Sequence, residues 1–219
     1  MIAAIVVAAG GSRRMGFDKL FADLDGQPVL ARSLSAFRHH PEISQVIAVT
    51  SPENRDRVEA LGLAHQVVLG GAFRHLSVQA GLDAVAPRTT IVAVHDGARP
   101  LIAATAISAC LEGARRHGAA ACARRITETV KRADEQGRVT GGIDREGLWA
   151  METPQCFALD LLRSAYQGVL DRNEIVTDEV SAVEALGESI YLVENRFPNL
   201  KITFAPDLTV AQALLRGMP

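Results

Sequence analysis

The chain is poor in the residues that mark specialised environments. Only 5% of its 219 residues are aromatic and only three are cysteine. Cys110, Cys122 and Cys156 are odd in number, far apart and without a C-x-x-C pair, which speaks against a disulfide framework or structural zinc. They read as small buried residues of a reducing compartment, and the expected localisation is cytoplasmic. Charge of one sign is also missing. With 23 basic and 25 acidic residues the formal net charge is −2, so no general positive field exists to hold a nucleic acid or an anionic membrane, and neither is expected as a partner. Any anion must be held locally. Long apolar runs are absent too: Met1 to Ala9 has no basic flank and is far short of the roughly 20 residues a spanning helix requires. No repeat, low-complexity tract or lipidation signal stands out.

What is present is an ordinary globular composition, 48% apolar and 22% charged, rich in Ala, Val, Leu and Gly. It suits helices packed closely on a sheet, and the length favours one domain over residues 1–219. The β-branched run Ile2 to Val7, bounded by Ala-Ala-Gly-Gly, predicts a first strand buried on both faces. Further strands are expected at Gln45 to Thr50, Gln66 to Leu69, Ile91 to Val94 and Ala119 to Ala123. Helices are expected at Pro28 to His39, after the cap Ser51 and Pro52, from Phe73 to Val85 and from Ala103 to His117. This alternation predicts a Rossmann-like, doubly wound, mostly parallel α/β sheet with right-handed crossovers. From Ile126 to Trp149 the pattern changes to two polar strands, Glu128 to Ala133 and Arg138 to Gly142, around the turn 134–137. This is a protruding β-arm at about 124–148. A lone polar hairpin is marginal in water, so it reads either as an arm packing on another subunit or as a surface flap. The last third predicts helices at Leu159 to Leu170, at Asp178 to Leu186 behind the cap Thr177, and at Pro206 to Arg216, with strands at Ile190 to Val193 and Lys201 to Phe204.

In such sheets ligands gather at the carboxyl ends of strands, where the loops 9–19, 70–77 and 95–100 fall. The first is glycine-rich and cationic. It is no P-loop, because Gly16 is followed by Phe17-Asp18-Lys19, and G-x-G-x-x-G is absent. Gly10 and Gly11 still let the backbone turn and offer N–H groups to an anion, while Arg14 and Lys19 bring full charges to a triphosphate. Arg13 reads as a surface residue. Asp96, ending a buried strand, suits a ribose hydroxyl or a nucleotide-bound magnesium. His95 lacks the partners of a metal site and reads as structural, with Arg99 bracing the loop through a carboxylate.

Taken together, AAGGSRRMGFDKL, GGAFRHLS, VHDGARP and NLKIT resemble the 2-C-methyl-D-erythritol 4-phosphate cytidylyltransferases, in order and spacing, from Ile2 to about Leu215. The first motif alone also resembles guanylyltransferases of the molybdenum cofactor and sugar nucleotidylyltransferases. The resemblance implies a nucleotide-diphospho-sugar transferase fold and transfer of a cytidylyl group from CTP to a sugar-alcohol phosphate, with magnesium held mainly by the nucleotide phosphates. Residues Ala8, Ala9, Gly10 and Gly11 would wrap the nucleotide; Arg14 and Lys19 would stabilise the pentavalent phosphorus and the leaving pyrophosphate. Gly71, Arg74 and Ser77 would read the cytosine, with Asp96 and Gly97 beside the nucleotide. It further implies a homodimer in which the arm crosses to the second subunit. There Thr129 and Arg145 would complete an acceptor site with Thr153, Thr177 and Lys201. Other acceptors, ribitol 5-phosphate or molybdopterin, and a non-catalytic nucleotide-binding subunit are the alternatives.

Overall fold

The computed structural model describes residues 1–10 and 18–217. Its first strand, β1 (Ile2–Ala8), is buried nearly throughout. Successive side chains of a strand point to opposite faces, so Ile2, Ala4, Val6 and Ala8 enter one core layer and Ala3 and Ile5 the other. A two-residue hairpin, β2 (Asp23–Leu24) and β3 (Gln27–Pro28), turns on Asp25 and Gly26, both with positive φ, and leads into α1 (Val29–Arg38). Then follow β4 (Gln45–Thr50), a 3-10 turn at Pro52–Asn54 running into α2 (Arg55–Ala60), β5 (Gln66–Leu69), α3 (Arg74–Asp83), β6 (Ile91–Asp96), α4 (Ala104–His117) and β7 (Ala119–Arg125). The second half comprises β8 (Val130–Ala133), β9 (Val139–Ile143), β10 (Trp149–Ala158), α5 (Leu159–Asp171), α6 (Glu179–Glu184), β11 (Tyr191–Glu194) and α7 (Ala205–Gly217). No described helix is long and apolar enough to cross a membrane.

The main sheet has the order β11-β7-β10-β6-β1-β4-β5. All its pairs are parallel except those of β10, which runs antiparallel to both β6 and β7. The expected doubly wound architecture is therefore present, with one central strand that the pattern did not predict. The sequence WAMETPQCFA alternates poorly and contains a proline, which argues against a central strand. The chain accommodates Pro154 where the pairing with β7 shifts register, between Met151 and Gln155.

Three local expectations need correction. Residues 201–204 form no strand; Ile202 N–H donates to the Ala98 carbonyl at 2.8 Å and ties this segment to the loop after β6 instead. Helix α6 is capped by Asp178, not Thr177: the Asp178 carboxylate accepts from Ser181 N at 3.0 Å, satisfying an orphan N–H of the first turn. Ser51 occupies the cap position before Pro52, but its side chain makes no capping hydrogen bond.

The polar hairpin forms as β8 paired with β9, turning at Gly137 with φ +79. No residue from 126 to 148 is buried. Elsewhere, a third apolar cluster of Leu24, Val29, Leu101, Ile202 and Ala211 brings α7 and the 200–202 segment against the small hairpin and the loop after β6. That packing carries Lys201 to the carboxyl edge of the sheet.

Candidate active site

The ends of β1, β5 and β6 converge because their backbones approach more closely than side chains would allow. A Cβ on Gly70 would lie 2.5 Å from Ala9 Cβ and 2.6 Å from Ser77 Oγ. One on Gly97 would lie 2.8 Å from Leu30 Cδ1 and 3.1 Å from the Val7 carbonyl oxygen. Gly97 N–H donates to that same Val7 oxygen at 2.9 Å, and its carbonyl accepts from Ser33 Oγ at 2.9 Å. Between the three strand ends lies a cleft of about 290 Å³, lined among others by Ala8, Ala9, Gly10, Lys19, Gly71 and Arg74, with Ser77, Asp96 and Lys201 completing it. Gly97 is not part of the lining and acts by letting β1 and β6 come together.

Each described cation of the cleft is anchored. Asp18 caps the 3-10 turn at Lys19–Phe21, accepting from Leu20 N at 3.1 Å, and is held by Asn54 Nδ2 at 2.9 Å and Arg57 Nη1 at 3.2 Å. Lys19 Nζ then donates to the Ile202 carbonyl at 2.8 Å, linking the first loop to the 200–202 segment. Arg74 opens α3 and forks onto Glu179 at 2.5 and 3.1 Å, while Nη2 lies 3.4 Å from Asp96 Oδ1. Burial alone would lower the Arg74 pKa, yet Glu179 and Asp96 hold it above the ordinary arginine value. Ser77 Oγ has the Phe73 carbonyl at 3.2 Å and the Gly71 carbonyl at 3.4 Å as acceptors for its single proton, and its oxygen keeps acceptor capacity.

Asp96 is the electrostatic centre. Its Oδ2 lies 2.8 Å from Lys201 Nζ and 3.4 Å from Arg99 Nε. Burial by itself would raise its pKa, but Lys201, Arg74 and Arg99 together hold the carboxyl well below the usual carboxylate range. Arg99 also donates to the Asn199 carbonyl at 2.8 Å, so it braces the loop as expected. Beneath Asp96, His95 is fully buried: Nε2 lies 3.1 Å from the Arg99 carbonyl and Nδ1 3.0 Å from Thr153 Oγ1. A carbonyl can only accept, so Nε2 carries the proton and Nδ1 accepts from the Thr153 hydroxyl, whose oxygen accepts from Asp96 N at 3.1 Å. Burial depresses the His95 pKa from 6.5 to about 4, keeping the ring neutral and structural.

A second cavity of about 390 Å³ adjoins the cleft and shares Lys201 with it; Arg99, Arg124, Glu152 and Asn199 line it. Lys201 thus stands between the cleft and a second cavity.

Known proteins share this sequence and this fold. A model of the family described as 2-C-methyl-D-erythritol 4-phosphate cytidylyltransferase matches residues 2–217. The chain belongs to that family. A protein of that name from Desulforamulus reducens is 38% identical over 224 residues, 98% of this chain and 96% of that protein. One from Pelotomaculum thermopropionicum is 39% identical over 225 residues, 99% of this chain and 94% of its own. The crystal structure of 2-C-methyl-D-erythritol 4-phosphate cytidylyltransferase from Thermus thermophilus superimposes with a TM-score of 0.84 at 30% identity, over 97% of this chain and 98% of that one.

In this member of the cytidylyltransferase family the cleft gathers Ala8, Ala9, Gly10, Lys19, Gly71, Arg74, Ser77, Asp96 and Lys201. Gly11 and Arg14 lie outside the described residues. Thr153 sits below the cleft, buried, with its hydroxyl committed to His95 and Asp96. Thr177 is exposed ahead of α6, and Thr129 and Arg145 are exposed on the arm, where Arg145 donates to the Thr127 carbonyl. None of these four lines the cleft within one chain. The sequence alone presents Glu179 only as a favourable charge near a helix dipole, whereas it is fully buried as the partner of Arg74. The spacing Glu179, Ala182, Val183 places it on the apolar face of α6, and that is the readable signal.

Proposed function

We propose that the chain transfers the cytidylyl group of CTP to 2-C-methyl-D-erythritol 4-phosphate. The products are 4-diphosphocytidyl-2-C-methyl-D-erythritol and pyrophosphate. The observation that carries this reading is the cleft at the ends of β1, β5 and β6, where Arg74 and Lys201 pair with Asp96 and Lys19 lines the same space in a chain of this family. An acceptor phosphate has a second pKa near 6, so it is already an anionic nucleophile at neutral pH and needs no general base. One of its oxygens attacks the α-phosphorus, the bond to the bridging oxygen of pyrophosphate breaks in line, and that oxygen leaves with the electron pair. The protein's task is alignment and neutralisation of crowded negative charge.

On this reading the backbone from Ala8 to Gly11 wraps the triphosphate, and Arg14 and Lys19 act on the transferring phosphorus and the departing pyrophosphate. Gly71, Arg74 and Ser77 face the base, Asp96 the ribose, and Lys201 the acceptor phosphate. Magnesium keeps most of its waters and takes one or two carboxylates plus phosphate oxygens. Asp96 is a single carboxylate whose oxygens already face Arg74, Arg99 and Lys201, and among the described residues no group of three His, Cys, Asp or Glu could hold a metal ion, so the protein would add at most this one ligand. The ion, held mainly by the nucleotide phosphates, would offset triphosphate charge. The arm supports a homodimer: Thr129 and Arg145, remote from their own cleft, would reach the acceptor bound beside the partner's Lys201, with Thr177 near it and Thr153 acting through the Asp96 backbone. Three free buried cysteines support a cytoplasmic setting.

A nucleotide-by-acceptor assay of pyrophosphate release tests this. Release should require CTP, magnesium and methylerythritol phosphate together. Equal rates with another triphosphate, or with ribitol 5-phosphate, would overturn the assignment.

A further inference from the structure

We infer that Glu179, backed by Tyr166, is a positioning residue of the transfer site that acts through Arg74 on the Asp96–Lys201 pair; this rests on the transfer reading above. The Glu179 side chain is fully buried. Its Oε1 and Oε2 accept from the two terminal nitrogens of Arg74 at 2.5 and 3.1 Å, and Oε1 also accepts from Tyr166 Oη at 3.0 Å. Its backbone N–H donates to Gln155 Oε1 at 3.1 Å, so β10 holds the start of α6 as well. Desolvating a carboxylate costs several kcal/mol, and packing alone would be served better by an apolar residue. What the fork adds is geometry, because two parallel hydrogen bonds fix the guanidinium plane.

That plane decides how Asp96 is shared. Arg74 Nη2, already bonded to Glu179, stands at 3.4 Å from Asp96 Oδ1, while Lys201 Nζ takes Oδ2 at 2.8 Å. The line Tyr166–Glu179–Arg74–Asp96–Lys201 therefore runs from the core between α5 and α6 to the boundary of the two cavities. With Glu179 in place, Arg74 is largely neutralised and Asp96 remains the partner of Lys201. Without its charge, Arg74 would turn its full charge onto Asp96 and displace Lys201 from its fixed position beside the acceptor. Lys201 is partly exposed, so no packing holds its side chain on every side. The consequence falls on acceptor use, although Glu179 touches neither substrate.

Steady-state kinetics of Glu179→Gln, Tyr166→Phe, Arg74→Gln and the Glu179→Gln/Arg74→Gln double variant test the inference at a temperature where circular dichroism reports each as folded. Losing the charge should lower kcat/KM for the acceptor roughly 10- to 100-fold, and losing only the Tyr166 hydroxyl about threefold. Adding Glu179→Gln to Arg74→Gln should cost less than about twofold more, because one residue works through the other. A double variant equal to the product of the single effects would overturn the inference, as would a lowered melting temperature with unchanged kcat/KM. Should Glu179→Gln not fold, Tyr166→Phe decides alone, since it keeps the ring in the core. The unsubstituted chain is assayed beside them: failure there to use CTP and methylerythritol phosphate sinks the transfer reading, whereas normal turnover with unaffected variants sinks only this one.

Discussion

At the cleft, charged groups have been taken out of water and given partners within the chain: Glu179 with Arg74 and Tyr166, Asp96 with Lys201, Arg74 and Arg99. On the arm the opposite holds. Nothing from 126 to 148 is buried, and the Arg124–Glu128 pair at its root stands at 3.9 Å with both side chains half or more exposed, a contact worth little in water. The cleft is thus specified by its own chain, down to which oxygen of Asp96 faces which cation. The arm is specified only as a hairpin, and on the proposed dimer its geometry against a substrate would come from the subunit it docks on. Loss of a cleft residue should therefore be felt inside one chain, and loss of an arm residue should be repairable by another chain.

The largest effect belongs to Lys19. Its ammonium reaches the cleft from the first residue of a capped turn, and on the proposed reaction it would meet the charge that develops on the leaving pyrophosphate. Lys19→Ala should lower kcat about 10²- to 10³-fold, the cost of removing one transition-state contact, with KM for CTP changed by less than about threefold. A large rise in KM at unchanged kcat would assign Lys19 to ground-state binding instead, and the cleft would then lose its claim to be the more demanding region.

Next is acid sensitivity, which only the body should show. His95 has its pKa depressed from 6.5 to about 4 by burial, so as pH falls below 6.5 the unfolded chain takes up a proton that the folded chain refuses. The contribution is complete above pH 6.5 and is lost between there and 4, amounting to about 3 kcal/mol. Urea midpoints across that range should fall with pH in the unsubstituted chain and fall less in His95→Gln. Parallel slopes would show that the ring is not what resists protonation.

How much of this could be read in advance follows the same division. Strands β1, β4 and β6 were legible to within about two residues because parallel central strands are continuous apolar runs, and the edge strand β5 because Gly70 and Gly71 punctuate its end. The three loops at their carboxyl ends, and hence Lys19, Arg74 and Asp96, followed from that alone. The hairpin was legible from its turn. Strand β10 was not, since a proline at a register break hides it. Nor was the pairing of Arg74 with Glu179, which lie 105 positions apart and whose contact depends on how α3 and α6 share one face of the sheet. Sequence spacing places residues on elements and at strand ends; it does not say which carboxylate will meet which guanidinium.

The arm supplies the smallest and most discriminating effect. Arg145→Ala should lower kcat/KM for the acceptor roughly 10- to 100-fold, the scale of one charge-assisted contact. Lys19→Ala should be nearly inactive for a different reason, having an intact arm and a damaged cleft. If the arm serves the partner's cleft in a symmetric dimer, a hybrid of the two variants contains one cleft in which an undamaged Lys19 meets an undamaged arm. Chains co-expressed in equal amounts should then recover about a quarter of the unsubstituted activity, since half the dimers are hybrids and each has one competent site of two. Recovery to that level makes the arm part of a neighbour's site. Activity no higher than the sum of the separate variants would place Arg145 at its own cleft or at none, and the difference between the two regions would then be one of exposure alone.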